Sequence, residues 1–224
     1  MATRQVLGEL ARAWEQRSGT QVQLESVGGV DAAKRVAAGE PCDCVILASD
    51  ALDTLIAAGH ALAPRVDIVD SGVAVAFKAG GLRLEIATEE ALQRAVLAAA
   101  SIGYSTGPSG TALLKLFERW GIAEQLQGRL VQAPPGVPVG SLVARGDVAM
   151  GFQQRSELIH LEGIAIAPMP AAVQINTTFS GAACATSTQA EAVRELLAFM
   201  AAPDAAEAKR RNGMEPAASS RKAP

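Results

Sequence analysis

Residues 15–50, EQRSGTQVQLESVGGVDAAKRVAAGEPCDCVILASD, carry the pattern that decides the fold. Alternating apolar and polar side chains over residues 20–27 predict a strand, and the compact apolar run at residues 42–49 predicts a second one. A helical pattern at residues 31–39 separates them, and further helical patterns precede and follow this segment. The first seventy residues are therefore predicted to be α, β, α, β, α, an order that favours a parallel sheet with helices on its faces.

The composition of the whole chain limits its size class and its partners. It has 224 residues, 49% hydrophobic and 19% charged, with a formal net charge of -3. This length fits one large α/β domain or two lobes of about 110 residues. Because the charge is weakly acidic and the basic residues are scattered, no nucleic-acid partner is expected. No apolar run approaches the ~20 residues of a membrane-spanning helix, so no membrane insertion is expected.

The amino terminus and the cysteines bear on the compartment. Residues 1–16 predict an amphipathic helix and lack the pattern of a signal peptide. This favours the cytoplasm, or the periplasm if a leader lies upstream of the given sequence. The three cysteines are expected to be buried thiols without a disulfide framework. No His or Cys cluster has metal-ligand spacing, so neither a metal nor another cofactor is predicted.

The stretch GYSTGPSGTALLKLFERWGI, residues 103–122, places small hydroxyl residues, glycines and a proline before an amphipathic helix. Such a loop can be a turn with a helix cap, because Ser and Thr satisfy N–H groups and Gly and Pro form turns. It can equally bind an anion, because a helix start presents N–H groups and the positive end of the helix dipole. The residues alone leave both interpretations open.

Three segments together resemble the molybdate-binding branch of the type II periplasmic binding proteins of bacterial ABC transporters. They are residues 15–50, LVARGDVAMGFQQRSEL at residues 142–158, and FMAAPDAAEAKRRNGMEPA at residues 199–217. The resemblance covers nearly the whole chain. It implies an α/β fold of two lobes, which are joined by a two-strand hinge and close on an anion in the cleft between them.

The same resemblance implies a domain organisation. The first lobe is predicted to be discontinuous, with residues 1–74 and 184–217, and its first strand would lie upstream of Met1. The second lobe is predicted at residues 75–183, followed by a flexible tail at residues 218–224. The two crossing strands are expected near residues 72–78 and 180–186.

Carrying the family's motifs over position by position gives candidate ligand-binding residues. The family's Ser-Ser-Gly loop matches Gly28, Gly29 and Val30. Its Pro-Ala-Gly loop matches Pro108, Ser109 and Gly110, and the same polar stretch adds Ser105, Thr106 and Thr111. A backbone contact from the second lobe matches Gly136 and Val137, and the family's ligand-facing tyrosine matches Gln154, with Gln153 and Arg155 beside it.

These matches depart from the family in the donors they offer. Glycines stand where the family has two serines, and glutamine stands where it has tyrosine. A tetrahedral oxyanion is held by a dense set of N–H and O–H donors at close range. Losing those hydroxyls favours a small organic carboxylate over molybdate.

The resemblance leaves two main functions open. The first is a monomeric solute-binding protein that captures a small anion for an ABC permease. The second is aconitate isomerase, a branch that the GPSGT loop and the GFQQ strand resemble, which interconverts cis- and trans-aconitate by allylic proton transfer. That reaction needs a general base. No catalytic residue is predicted, since Glu25 and Asp31, the carboxylates nearest the glycine loop in sequence, are not convincing bases. The binding protein therefore ranks first, and a ligand-sensing domain without a transporter is a third possibility.

Overall fold

The computed structural model describes residues 1–81 and 85–218 of the chain. The helices are α1 (Arg4–Ser18), α2 (Gly29–Ala37), α3 (Ser49–Ala57), α4 (Glu89–Ala98), α5 (Pro108–Arg119), α6 (Val139–Arg145), α7 (Arg155–Leu158), α8 (Ala190–Ala201) and α9 (Ala206–Arg211). The strands are β1 (Cys44–Ala48), β2 (Val66–Lys78), β3 (Ile102–Tyr104), β4 (Leu130–Gln132), β5 (Met150–Gln154), β6 (Ile164–Pro168), β7 (Asn176–Ala183) and β8 (Glu215–Pro216). No described helix is long and apolar enough to cross a membrane.

The chain divides into two compact units. The first comprises residues 1–71 and the chain from residue 177 onwards, and the second comprises residues 72–176. The units divide after residues 71 and 176. The lobe boundaries predicted from the sequence, after residues 74 and 183, lie three and seven residues farther along the chain. Of the predicted tail, residues 219–224 lie outside the described residues, whereas the Ala218 N–H donates a hydrogen bond to Asp70.

The first unit is built on antiparallel strands covered by helices. β1 pairs antiparallel with β7, and β8 pairs antiparallel with β2. The apolar faces of α1 and α8 meet in one core cluster that contains Leu10 and Leu197. A Cβ at Gly181 of β7 would lie 2.3 Å from Leu197 Cδ2, so the glycine is what lets α8 pack directly on this strand.

Two expectations for the first unit are wrong. Residues 19–28 form no strand, although their side chains alternate. The N–H of Val22 donates to Glu15 Oε1 at 2.7 Å, and no described strand lies alongside to take up the other backbone groups. Alternation therefore could not produce a strand here, since a strand requires a neighbour for its N–H and C=O groups.

The predicted parallel pairing is also wrong for β1, which lies antiparallel to β7. The reason is that β7 follows the whole second unit in the chain rather than a βαβ crossover, so nothing forces it to run parallel. Parallel pairing is found in the second unit, where β3 pairs with both β4 and β5.

The second unit is a mixed sheet between two helical layers. β5 lies between β2, to which it is antiparallel, and β3, to which it is parallel. α5 covers one face, where Phe117 meets Phe152 edge to face with ring centroids 6.1 Å apart. α6 covers the other face through Val139 and Val143. A Cβ at Gly151 would lie 2.7 Å from Val139 Cγ1, so this glycine allows α6 to approach the sheet closely.

Candidate functional site

The carboxyl ends of β3, β4 and β5 meet at one edge of the second unit's sheet. Tyr104 lies opposite Phe152 on one side and Gln132 on the other, and the Ala133 N–H donates to the Tyr104 carbonyl at 2.9 Å. The segments that follow these strands carry most of the candidate residues. In open α/β sheets, ligands bind outside the carboxyl ends of the parallel strands, so this edge is the candidate site.

The hydroxyl loop, residues 105–111, joins β3 to α5 at this edge. Its two serines contact each other, with Ser105 Oγ and Ser109 Oγ 3.0 Å apart. Ser109 is only 4% exposed, while Thr106, Pro108 and Thr111 are exposed. The helix start has Gly107 at its cap position and no side-chain cap. A partly buried pair of hydroxyls is thus held at a helix N-terminus that has no side-chain cap.

Close packing fixes the conformation of the hydroxyl loop. A Cβ at Gly110 would lie 1.8 Å from the Ser105 carbonyl oxygen, so only glycine fits. The N–H groups of Gly110 and Thr111 donate to the Gly107 carbonyl at 3.0 and 3.2 Å. These two N–H groups are already bonded, whereas the Ser105 and Ser109 hydroxyls and the helix dipole can attract an anion.

The two glutamines that end β5 are both buried, and one of them has a structural role. Gln153, 4% exposed, accepts a hydrogen bond from the Val139 N–H at 2.7 Å through its Oε1. Pro138 at the cap position of α6 provides no side-chain cap, so Gln153 caps this helix from the neighbouring strand. Gln154 is the other buried glutamine and precedes α7. Its neighbour Arg155 is exposed and forms no ion pair with a described residue.

A glycine turn leads into α6 at the same edge. The Val137 N–H donates to the Pro134 carbonyl at 3.0 Å, and Gly136 has φ of 79°, in the left-handed region that favours glycine. Both Gly136 and Val137 are at least partly accessible. The backbone conformation of the turn therefore explains the glycine at position 136.

The glycine loop at residues 28–30 belongs to the first unit. Gly28 is the cap residue of α2, and Gly29 and Val30 open the helix with exposed positions. A Cβ would meet nothing closer than 3.4 Å at Gly28 and 3.8 Å at Gly29. Packing does not require glycine at either position, and a ligand role for these three residues stays a prediction of the resemblance.

Glu157 is a candidate that the sequence reasoning missed. It lies on α7, three residues after β5 ends, and is half-buried. Burial raises the pKa of its carboxyl above the usual range, and a hydrogen bond with the Gln153 side chain partly opposes this. A carboxyl with a raised pKa at a strand's carboxyl end is a suitable general base. The only sequence signal was an acidic residue inside the matched segment at residues 142–158.

Glu25, one of the carboxylates nearest the glycine loop in sequence, is a poor base in this structure. Its oxygens accept hydrogen bonds from Arg35 at 2.7 and 2.9 Å. This guanidinium lowers the pKa of Glu25. Elsewhere in residues 1–81 and 85–218, no group of three or more His, Cys, Asp or Glu side chains could hold a metal ion.

Sequence comparisons match almost the whole chain to known proteins. The family model described as bacterial extracellular solute-binding protein matches residues 1–215. An aconitate isomerase from Pseudomonas sp. is 36% identical over 216 residues, which cover 93% of this chain and 82% of that protein.

Solved structures confirm the predicted fold class. The periplasmic molybdate-binding protein of Azotobacter vinelandii superposes with a TM-score of 0.79 at 18% identity, over 95% of each chain. The sulfate-binding protein SubI from Mycobacterium tuberculosis gives a TM-score of 0.74 at 18% identity, over 97% of this chain and 83% of that one. The fold is the α/β fold of type II periplasmic binding proteins. The chain belongs to the bacterial extracellular solute-binding proteins.

Proposed function

We propose that this protein binds a small organic polycarboxylate and interconverts cis- and trans-aconitate by allylic proton transfer. The observation that carries the proposal is its 36% identity, over 93% of the chain, to a protein named aconitate isomerase. The compared molybdate- and sulfate-binding proteins share 18% identity with it and support the fold alone.

The polar groups at the sheet edge suit a ligand with separated carboxylates. Ser105 and Ser109 offer hydroxyl donors at the start of α5, where the helix dipole also favours negative charge. Arg155, exposed and free of ion pairs with described residues, can hold a carboxylate through two parallel N–H bonds. Gln154 keeps the position that the family resemblance gives to a ligand-facing side chain.

The proton transfer is assigned to Glu157. Its carboxylate removes a proton from the methylene carbon of aconitate. The electron pair of that C–H bond forms a new double bond to the central carbon, and the old double bond opens towards the former vinylic carbon. The same carboxyl group returns the proton to the former vinylic carbon, so Glu157 begins and ends the cycle ionised. A carboxyl whose pKa is raised by burial is a stronger base than an exposed one.

The second candidate is a binding protein without turnover. It is favoured by the family itself and by the fold shared with periplasmic binding proteins. In that case the protein works as a monomer, captures a small anion in the periplasm, and delivers it to an ABC permease. Turnover separates the two functions, since a binding protein holds at most one equivalent of ligand.

The experiment is a proton NMR time course of trans-aconitate with a sub-stoichiometric amount of protein in D₂O. Growth of cis-aconitate beyond one equivalent of protein, with deuterium entering the former vinylic or methylene carbon, supports the isomerase. Line broadening without conversion supports the binding protein. Conversion by the wild type and its loss in Glu157→Gln, with trans-aconitate binding retained, identifies the base.

Glu162→Gln is the matched control. Glu162 is an exposed glutamate of the same unit, shortly after α7, so its substitution should leave conversion unchanged. Equal conversion by wild type and Glu157→Gln would overturn the role given to Glu157 and leave the isomerase proposal itself standing.

A further inference from the structure

We propose that Cys42 and Cys184 form an intramolecular disulfide in an oxidising environment. Their Sγ atoms lie 3.0 Å apart, although the residues are 142 positions apart in the chain. Both are free thiols in this structure. An S–S bond is about 2.05 Å long, so an approach of about 1 Å would bring the two sulfur atoms to bonding distance.

The backbone around this pair is fixed independently of the thiols. The β1–β7 ladder begins with Cys44 opposite Ala183, and the Cys184 N–H donates to the Asp43 carbonyl at 2.9 Å. The Ser187 hydroxyl donates to the Asp43 carboxylate at 2.7 Å. The chain bends at Asp43 just before β1. The two thiols are therefore held beside each other by strand pairing within the first unit.

The two cysteines differ in accessibility, which sets the order of the reaction. Cys42 is half-buried, whereas Cys184 is 1% exposed and burial raises the pKa of its thiol. The thiolate is the reactive form of cysteine. Cys42 is thus the thiol that meets an external oxidant, and Cys184 resolves the product.

With glutathione disulfide as oxidant, the reaction balances as two thiol–disulfide exchanges. The Cys42 thiolate attacks one glutathione sulfur, which forms a mixed disulfide and releases a glutathione thiolate. The Cys184 thiolate then attacks Cys42 Sγ and releases the second glutathione. The two cysteine protons end on the two released glutathiones, so the protein is oxidised by two electrons and glutathione disulfide is reduced.

The cross-link would close a long loop of the chain. It joins the segment before β1 to the residue after β7, and thereby encloses the entire second unit, residues 72–176. Closing a loop of this length restricts the unfolded chain, and we expect the Tm to rise by about 5 to 15 °C on oxidation. Extracellular compartments, which the family's description names, are where disulfides persist. The inference does not depend on the proposed enzymatic activity.

Cys44 provides an internal control, because it lies two residues from Cys42 and the sulfur contact joins Cys184 to Cys42. Burial raises the pKa of Cys44 to about 12. It should therefore remain a thiol under conditions that oxidise the other two.

The test is a thiol count on the full chain after incubation with glutathione disulfide and denaturation without reductant. Of the three cysteines, the wild type should retain one free thiol, Cys44→Ser none and Cys42→Ser two. Cys184→Ser should retain one free thiol and carry glutathione on Cys42, because the resolving thiol is missing, and neither Cys42→Ser nor Cys184→Ser should form an intramolecular bond. The Tm gain should be present in the wild type and in Cys44→Ser and absent from the other two variants. In the wild type, three free thiols, a lasting mixed disulfide with glutathione or a disulfide-linked dimer would each overturn the proposal, as would an internal cross-link that survives Cys42→Ser.

Discussion

At the residue level, Ser109 is nearly inaccessible and yet its hydroxyl bonds to another hydroxyl, that of Ser105. One hydroxyl of such a pair can donate to an anion while it accepts the hydrogen bond of the other. We expect Ser109→Ala to weaken the binding of trans-aconitate by about 1 to 2 kcal/mol, the cost of a lost hydrogen bond to a charged group. Titration calorimetry in the Glu157→Gln background measures this without turnover.

Thr54→Ala is the control for that measurement. Thr54 lies on α3 in the first unit, where its exposed hydroxyl donates to the Asp50 carbonyl. Its removal should leave ligand affinity unchanged. If Ser109→Ala also leaves the affinity for trans-aconitate unchanged, the hydroxyl loop is only a turn before a helix and does not bind the ligand.

The sequence analysis selected several residues at the end of β5 without separating their roles. Gln153 and Gln154 were both candidate ligand-binding residues. Only coordinates could reveal that Gln153 caps α6, because its partner Val139 is 14 residues away and belongs to another element. Glu157 was missed for a related reason, since its raised pKa comes from burial, which one sequence does not display.

At the level of elements, two helix starts carry glycines for different reasons, and substitution distinguishes them. In α5, a Cβ at Gly110 would lie 1.8 Å from the Ser105 carbonyl oxygen, a backbone atom that cannot move aside cheaply. In α2, a Cβ at Gly29 would be 3.8 Å from Leu47 Cδ2, an ordinary contact. We expect Gly110→Ala to lower the free energy of unfolding by about 1 to 3 kcal/mol, and Gly29→Ala to change it by less than about 0.5 kcal/mol.

Urea denaturation of both variants beside the wild type provides the measurement. A stable Gly110→Ala protein would mean that the hydroxyl loop moves to make room, which would contradict the rigid positioning of Ser105 and Ser109. If Gly29→Ala keeps its stability and loses affinity for trans-aconitate, the glycine is present for the ligand and not for packing.

Helices were predicted correctly where the signal lies within the helix itself. Strands were predicted wrongly where their formation or direction depends on a neighbouring strand. The amphipathic helix predicted within residues 103–122, for example, is α5, which begins at Pro108. Residues 20–27 have the alternation of a strand but no described neighbouring strand, so they remain irregular. The direction of pairing was predicted wrongly for β1 for a similar reason. Its neighbour β7 follows the second unit in the chain, and the sequence near β1 does not indicate this pairing.

For the whole molecule, the order of three weak segment matches was more informative than any one motif. A segment such as residues 199–217 is unremarkable alone, but its place after the other two reproduces the family's chain order, and the α/β class followed correctly. The boundaries between the two lobes stay a prediction. The division falls between Ser71 and Gly72, inside the continuous strand β2, where the local sequence pattern does not change.

The stability of the whole protein should depend on pH through Glu157. Burial raises the pKa of Glu157 in the folded protein above its ordinary value of 4.5. Above pH 4.5 the unfolded chain therefore releases this proton more readily than the folded one, and the folded state loses stability until the folded carboxyl has also ionised. We expect Glu157→Gln to match the wild type below about pH 4. The variant should become the more stable of the two as the pH rises, with a constant advantage once both states have ionised.

Urea denaturation at several pH values between 4 and 8 tests this, with Glu162→Gln as the exposed control whose difference from the wild type should stay small throughout. The sign of the effect distinguishes the two roles that Glu157 can have. A side chain retained only for its hydrogen bond to Gln153 would make the protein less stable when replaced, at neutral pH most of all. A partly buried carboxylate that is kept for catalysis lowers the free energy of unfolding when it is ionised. Glu157→Gln should therefore lose isomerisation and become more stable in the same pH range. Loss of both at pH 7 would contradict the proposed role of Glu157.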